Sequence, residues 1–271
     1  MGYWTLDDIP WERFDRSKLD PDVVRIVKAA SLVEYNGGAY AHHLCRIFHD
    51  DIDFQRVAQR WGEEEIQHGR ALARWAGLAD PSYDFNIAFD RFQAGYRVDF
   101  DSDASRRGSR SGEMIARCMV EVGTSSYYSA LRDSVQEPVL REICRKIAAD
   151  EIRHYRLFFK NLGRYVERDR VGLWRRLRVA LRRIAEAEDD ELAYAYYAAN
   201  ETSHPYDRRR YSRAYARKAL ALYQEHHVRH MIALVFKAVG LSPHGRLARA
   251  ASRLVWRAMR YKLTHLVRVA A

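Results

Sequence analysis

Residues 150–154 of the chain read DEIRH, within a run whose apolar residues recur at helical spacing. In an α-helix, residues i and i+3 lie on the same face, so Glu151 and His154 point in the same direction. That face also carries apolar side chains such as Ile147 and Phe158, which predicts that it is buried. A carboxylate and an imidazole on a buried face need a partner. The alternatives are a surface pair, a buried hydrogen-bonded pair or a metal ion.

The spacing Glu-x-x-His occurs three times in the chain, at Glu65/His68, Glu151/His154 and Glu201/His204. Chance alone would give about 0.6 such pairs in a sequence of this composition, so a single pair carries little information. The third pair precedes Pro205 at a predicted helix end and has no counterpart elsewhere, so we interpret it as a coincidence. Whether the other two pairs bind a metal ion must be judged from the rest of the sequence.

Helical periodicity covers most of the chain and strand patterns are scarce, which predicts an all-α fold. Four long helices are expected first, over about residues 22–49, 53–77, 112–135 and 138–166. The links within each successive pair of helices are short, and a long connection joins the two pairs. Two antiparallel hairpins joined by one crossover are the connectivity of a ferritin-like four-helix bundle.

The remaining sequence extends this bundle at both ends. The expected segments are an N-terminal segment over 1–21, the bundle over 22–166, additional helices packed on the bundle over 167–240, and a C-terminal tail over 241–271. Two further helices are expected in the third segment, over about 171–200 and 207–239. The tail is basic and amphipathic, so it can pack on the bundle or contact an anionic partner or a membrane surface.

The composition is that of a soluble globular protein, with 48% hydrophobic and 30% charged residues and a net charge of +10. No apolar run approaches the roughly 20 residues that span a bilayer. The N-terminus lacks the features of a secretory signal. Three isolated cysteines, Cys45, Cys118 and Cys144, argue against a disulfide framework or a zinc cluster. We therefore expect a cytoplasmic protein.

Each of the four predicted bundle helices carries ionisable side chains near its centre. A glutamate on one helix is followed by Glu-x-x-His on the next, and the pattern then repeats at nearly the same separation. The residues form a first triad, Glu34, Glu65 and His68, and a second triad, Glu121, Glu151 and His154. Four carboxylates and two imidazoles that converge inside a bundle bind two iron or manganese ions in ferritin-like carboxylate proteins.

The chemistry of these side chains explains why they suit such a site. Carboxylates are hard anionic ligands that can bridge two metal ions, imidazole suits iron, and the pattern contains no thiolate that would favour zinc. Without metal, four buried carboxylates would repel one another and would have to take up protons. The repeated pattern predicts two Fe ions, or a Mn/Fe pair. We find no fingerprint for a flavin or for NAD.

The stretches EEIQHG at 64–69 and DEIRH at 150–154 resemble the two iron-binding motifs of soluble acyl carrier protein desaturases, and more widely those of the ferritin-like di-iron superfamily. The resemblance covers about residues 22–166. It implies that the two triads are the metal ligands, with Glu65 and Glu151 bridging, and that reduced iron activates O₂. The C-terminal part does not resemble the desaturases, so the resemblance does not extend to a fatty-acyl substrate.

The same resemblance implies partners for the ligand histidines. Glu64 and Asp150 each directly precede a ligand glutamate. In the family, residues at these positions hold the histidine of the opposite hairpin, which pairs Asp150 with His68 and Glu64 with His154. Such outer partners orient the ligands of most metal sites. The alternative is that both residues are ordinary acids on a helix surface.

Two hydroxyl residues, Thr124 and Ser125, follow Glu121 on the same helix face. A hydroxyl at this position resembles the oxygen-pocket threonine of desaturases and bacterial multicomponent monooxygenases. The alternative is a hydroxyl that donates to a carbonyl of its own helix, which is common.

The face around Glu34 carries unusually small residues: Ala30, Ser31, Gly37, Gly38 and Ala41. Each glycine in a helix interior costs about 1 kcal/mol relative to alanine, so another interaction should offset that cost. Either a neighbouring helix packs very closely against this face, or a substrate cavity opens beside the metal ions.

Together these features predict an O₂-dependent di-iron or Fe/Mn oxidoreductase that oxidises an organic substrate by desaturation, hydroxylation or N-oxygenation. The substrate would be a small molecule or carrier-bound, electrons would come from a separate donor, and a homodimer is compatible with the sequence. Three alternatives stay open: a ferroxidase or rubrerythrin-like peroxide scavenger, a tRNA-modifying di-iron hydroxylase, and a non-catalytic helical interaction protein. The chain lacks a Cys-x-x-Cys rubredoxin module, which argues against a rubrerythrin-like protein. Its positive charge would suit an enzyme that binds tRNA.

Overall fold

The computed structural model describes residues 3–96, 104–186, 190–201 and 203–270. Regular secondary structure in these residues is entirely helical, which confirms the all-α prediction. The described residues form two compact units. The first unit draws on Met1–Asp101, Arg132–Lys146 and Asp189–Ala219, and the second unit draws on Ser102–Leu131, Ile147–Glu188 and Leu220–Ala271.

Three short 3₁₀ turns precede the α-helices, at Leu6–Asp8, Trp11–Arg13 and Arg16–Lys18. The α-helices are α1 (Pro21–Tyr35), α2 (Gly37–Ile47), α3 (Ile52–Ala79), α4 (Phe85–Gly95), α5 (Arg110–Ser134), α6 (Pro138–Asp169), α7 (Leu173–Ala185), α8 (Asp190–Asn200), α9 (Arg208–Ala221), α10 (Glu225–Val239) and α11 (Arg246–Ala270). The first unit contains α1–α4, α8 and α9, and the second contains α7, α10 and α11. Helices α5 and α6 contribute residues to both units, and the last two residues of α9 belong to the second.

In the first unit, α1 packs against α3 and α8, and α2 also packs against α3. Helix α1 starts where Asp20 accepts a hydrogen bond from the backbone N–H of Asp22, with Pro21 in the first turn. Both features favour a helix N-terminus. From the middle of α1, the buried Lys28 donates a 2.5 Å hydrogen bond to Asp80, the residue that follows α3. The first two features fix the start of α1, and the Lys28–Asp80 pair ties α1 to the end of α3.

A buried carboxylate fixes the start of α6 in the first unit. The side chain of Glu137 accepts hydrogen bonds from the backbone N–H groups of Val139 and Leu140. It also accepts from the indole N–H of Trp75 and from the backbone of Asp15. A buried carboxylate is stable only when its oxygens are satisfied in this way. Glu137 therefore ties the N-terminal segment, α3 and α6 together.

The prediction of one helix over about 22–49 is wrong, because the helix is interrupted at Asn36 and continues as α2. The interruption precedes two consecutive glycines, Gly37 and Gly38. Glycine has low helix propensity, so a local break costs little at this point.

The long connection between the helix pairs contains a helix that the sequence analysis missed. Helix α4 begins after Asp84, whose side chain caps its N-terminus. Phe85 and Phe89, one helical turn apart, make edge-to-face contacts with Tyr35 at centroid distances of 5.2 and 4.9 Å. The aspartate and the spacing of Phe85, Phe89 and Phe92 were the available sequence signal.

The C-terminal part contains more helices than predicted. The helix expected over about 171–200 is α7 and α8, and residues 187–189 between them lie outside the described residues. The helix expected over about 207–239 is α9 and α10, because Gln224 starts a new helix. Gly240 ends α10 with φ 86°, a left-handed conformation that favours glycine. The basic tail is the single helix α11.

In the second unit, α10 packs against α7 and α11. The hydroxyl of Tyr155 on α6 donates to the carbonyl of Leu234 on α10 at 3.0 Å. Ser111 at the start of α5 donates through its hydroxyl, at 2.6 Å, to Asp169 at the end of α6. None of the described helices has the length and apolar character needed to cross a membrane. The assembly of a ferritin-like bundle over 22–166 stays a prediction.

Candidate metal centre

The first triad lies within the first unit. Glu34 is near the end of α1, and Glu65 and His68 are one turn apart on α3. The Nδ1 atom of His68 lies 3.4 Å from Oε2 of Glu34 and 3.9 Å from Oε2 of Glu65. All three side chains are buried. One donor atom from each lies within 4.8 Å of the others, so the predicted ligands of this half are close enough to share a metal ion.

The second triad has nearly the same geometry within the second unit. Glu121 is on α5, and Glu151 and His154 are one turn apart on α6. The Nδ1 atom of His154 lies 3.6 Å from Oε2 of Glu121 and 3.9 Å from Oε2 of Glu151. These side chains are also buried, and their donor atoms lie within 4.8 Å of one another. The repeat in the sequence is therefore a repeat in structure.

The third Glu-x-x-His pair provides an internal comparison. The Nδ1 atom of His204 lies 3.4 Å from Oε2 of Glu201, but 58% of the histidine side chain is exposed. The same spacing here forms a surface pair, as expected for a coincidental match. Burial, rather than spacing, separates the two triads from this pair.

The electrostatics of the second triad are unfavourable without a cation. Burial and the nearby charge of Glu151 together raise the pKa of Glu121 to about 8, although His154 offsets part of their effect. Both carboxylate oxygens of Glu121 are buried, and neither has a hydrogen-bond partner among the described residues. Burial also raises the pKa of the Cys118 thiol, and the charge of Glu121 adds to the rise. The donors of this triad are carboxylate oxygens and an imidazole nitrogen.

The two hydroxyl residues near Glu121 have different partners. Thr124 lies near carbonyl oxygens of its own helix, but its shortest contact is a 2.6 Å hydrogen bond to Oε2 of Glu151. A hydrogen bond to a carboxylate is stronger than one between neutral groups. The hydroxyl of Ser125 instead donates to the carbonyl of Val122 in its own helix at 3.1 Å. Thr124 thus orients a candidate ligand, whereas Ser125 follows the helix-bonded alternative.

The two glycines of the small face, Gly37 and Gly38, lie on α2 and pack against α3. A Cβ atom added at Gly37 would overlap the Cβ of Glu65, and one added at Gly38 would lie 3.0 Å from Cδ1 of Ile66. Only glycine permits the close approach at Gly37 without displacing a candidate ligand. Of the two alternatives for this face, these contacts support close helix packing.

The other residues of the small face fit the same interpretation. Ala30, Ser31 and Ala41 are buried, and the hydroxyl of Ser31 donates to the carbonyl of Lys28 at 2.7 Å. A Cβ atom added at Gly62 on α3 would lie 2.5 Å from the Cβ of Ala41. A substrate cavity beside Glu34 stays a prediction.

Each of the two acids predicted to hold a ligand histidine has an arginine partner on its own helix. The buried Asp150 accepts a 2.6 Å hydrogen bond from Arg153. An oxygen of the half-buried Glu64 lies 3.7 Å from Nε of Arg60. Their predicted pairing with His68 and His154 would join residues of different units and stays a prediction.

Sequence analysis missed one neighbour of the first triad. The indole ring of Trp4 stacks on the imidazole of His68, with ring centroids 6.0 Å apart and planes 8° from parallel. The buried Trp4 is held by Gln67, whose amide donates to its carbonyl at 2.8 Å. Trp4 precedes every predicted helix, and no local spacing links it to His68. Only the fold reveals this contact.

Buried clusters of glutamate and histidine such as these could hold a metal ion. Their oxygen and imidazole donors fit iron and manganese better than metals that prefer sulfur. A bound cation would compensate the carboxylate charge that burial otherwise disfavours. No protein-family model matches the chain, and a search of curated proteins finds no match.

Proposed function

We propose that the two triads hold two iron ions, or one iron and one manganese, in an oxidoreductase that activates O₂ and oxidises an organic substrate. The observation that carries this proposal is the repeated arrangement of one buried histidine beside two buried glutamates. The two nearest histidine–glutamate distances are 3.4 and 3.6 Å, and both Glu-x-x-His distances are 3.9 Å. Desaturation, hydroxylation and N-oxygenation are the reaction types that we consider.

The buried oxygens of Glu121 support the presence of a metal ion at the second triad. They have no hydrogen-bond partner among the described residues, and a carboxylate in that position is costly unless a cation compensates it. When bound, the two metal ions would transfer electrons to O₂ and supply the oxidising power for the substrate. All six triad residues would serve as ligands.

Other residues of the chain would position the ligands and keep the site dry. Thr124 fixes one oxygen of Glu151 by hydrogen bonding, which limits the orientations of that carboxylate. Trp4 covers the ring of His68 and helps to exclude water from the first triad. A water-excluded site strengthens electrostatic interactions and limits side reactions. Electrons would come from a separate donor.

The experiment that tests this proposal is O₂ consumption by the Fe(II)-loaded protein, measured against free Fe(II) in the same buffer. We expect the protein to consume O₂ faster than free iron. Substitution of either triad histidine, H68A or H154A, should abolish the difference, whereas H204A in the exposed pair should not. O₂ consumption equal to that of free Fe(II) would rule the proposal out.

A ferroxidase is the second candidate, and the packing of the small face favours it. Gly37 and Gly38 lie against α3, and a protein that oxidises Fe(II) needs no cavity for an organic molecule there. Excess Fe(II) separates the two functions. A ferroxidase would oxidise many iron ions per chain without added reductant, whereas an organic-substrate oxidase would stop after its bound iron is oxidised.

A further inference from the structure

The outer face of α7, in the second unit, carries exposed apolar side chains. Trp174 is 84% exposed, Leu181 is 65% exposed and Ile184 is 45% exposed. At 3.6 residues per turn, Trp174 and Leu181 lie two turns apart along one line, and Ile184 lies beside that line. Isolated exposed apolar residues are normal, but a contiguous row indicates an interaction surface.

Arginines border this apolar row on one side. Arg178 and Arg182 are exposed and lie one turn apart, next to the line of Trp174 and Leu181. No aspartate or glutamate occurs within Leu173–Ala185. The exposed surface of α7 is therefore itself amphipathic, with an apolar strip and a cationic strip side by side.

Helix α11 presents the same combination independently. Its strongly exposed apolar residues are spaced by seven: Leu247, Leu254 and Tyr261. An arginine directly precedes each of them: Arg246, Arg253 and Arg260. A seven-residue spacing is close to two helical turns, so the apolar residues form one stripe and the arginines a second. From His226 to the end of the chain, the sequence contains no aspartate or glutamate.

We propose that the exposed faces of α7 and α11 bind the surface of an anionic lipid membrane. Helices with an apolar strip beside arginines lie in the plane of the membrane interface, where the arginines contact lipid phosphates and the apolar side chains enter the headgroup boundary. Tryptophan favours that boundary because its ring is amphipathic. The proposal concerns where the protein works and does not depend on its metal chemistry.

The chemistry of the two faces favours lipid over other anionic or apolar partners. RNA would satisfy the arginines and could stack on Trp174, but Leu181 and Ile184 would gain no apolar partner from it. A second copy of the chain would bury the apolar strip but would bring arginines close to arginines, and like charges repel. An anionic membrane complements both strips at once.

Vesicle flotation of the 271-residue chain tests the proposal. We expect binding to vesicles of phosphatidylcholine mixed with phosphatidylglycerol, and none to phosphatidylcholine alone. R178S/R182S should weaken binding about 10- to 30-fold, since each arginine near an anionic surface contributes about fivefold. W174S/L181S should weaken it at least about tenfold, because the apolar contribution is lost. The matched control is R209S/R213S on α9, which removes two exposed arginines at the same spacing and should bind as the wild type does.

Fluorescence provides a second measurement at Trp174. Brominated lipids should quench the wild type more than W174F, which keeps an apolar side chain at that position. Several results would overturn the proposal: no vesicle binding, equal loss of binding in R209S/R213S, or no quenching difference between the wild type and W174F. If vesicle binding is absent, retention of RNA would assign these faces to nucleic acid, and a dimer lost in W174S/L181S would assign them to a second copy of the chain.

Discussion

The first triad takes one glutamate from the end of a helix, whereas the second triad takes the corresponding glutamate from the middle of one. Glu34 lies two residues before the break at Asn36, and Glu121 lies within the continuous helix α5. Yet the histidine–glutamate distances differ little between the triads. A glutamate at the end of a helix and one in the middle of a helix therefore reach nearly the same distance from the histidine of a Glu-x-x-His turn.

The surroundings of the two triads differ more than the triads themselves. In the first unit, packing supports the ligands, because Trp4 covers His68 and Gly37 lies directly against Glu65. In the second unit, a hydrogen bond from Thr124 supports Glu151. We therefore expect the ligands of both triads to matter equally, but their neighbours to respond to different kinds of substitution.

The largest expected effect comes from removal of a ligand histidine. H68A and H154A should each weaken Fe(II) binding by more than about 100-fold, because loss of a ligand should exceed the 10- to 100-fold effect of losing an outer partner. Anaerobic titration with Fe(II) measures this effect, with H204A as the control. A large effect in one variant and none in the other would show that the two triads do not contribute equally to Fe(II) binding.

The next effect tests the close packing in the first unit. G37A should destabilise the protein by about 3 kcal/mol, the upper end for overpacking, because the new methyl group would overlap Glu65. The matched substitution is G123A on α5, where an added Cβ meets nothing within 4 Å. It should stabilise the protein by about 0.5–1 kcal/mol, since alanine favours helix. Urea unfolding gives both values, and equal stability of the two variants would refute the packing argument.

The hydrogen bond in the second unit should affect metal binding rather than folding. T124V removes the donor to Glu151 and should weaken Fe(II) binding about 10- to 100-fold. S125A is the control, because the hydroxyl of Ser125 donates to the carbonyl of Val122 in its own helix. Isothermal titration of both variants measures the difference. Identical affinities would mean that Thr124 does not orient the ligand.

The smallest effect concerns the ion pair that joins α1 to α3. Hydrogen bonds from Lys28 and Ser82 lower the pKa of Asp80 to about 2. The folded state therefore favours the ionised carboxylate, so the stabilisation is complete near neutral pH and is lost as the pH falls from about 4 towards 2. D80N should cost about 1 kcal/mol at pH 7 and much less near pH 2. Thermal melting across this range measures it, and a cost independent of pH would contradict the assignment.

Both triads could be predicted from the sequence because their key spacing is local. Glu65 and His68 meet through one helical turn, as do Glu151 and His154, and the pattern occurs twice. The break at Asn36 was harder to predict, because isolated glycines are tolerated in helices and the reason for this pair is a contact with α3. The contact of Trp4 with His68 depends on the path of the whole N-terminal segment, which no periodicity encodes.

The most direct test of the central claim is the number of metal ions that each chain retains. The 271-residue chain is loaded with Fe(II) without oxygen, separated from free iron, and analysed for iron and protein. We predict two iron ions per chain, as in ferritin-like carboxylate proteins. A chain that retains no iron, or one that retains as much after both H68A and H154A are introduced, would contradict the account.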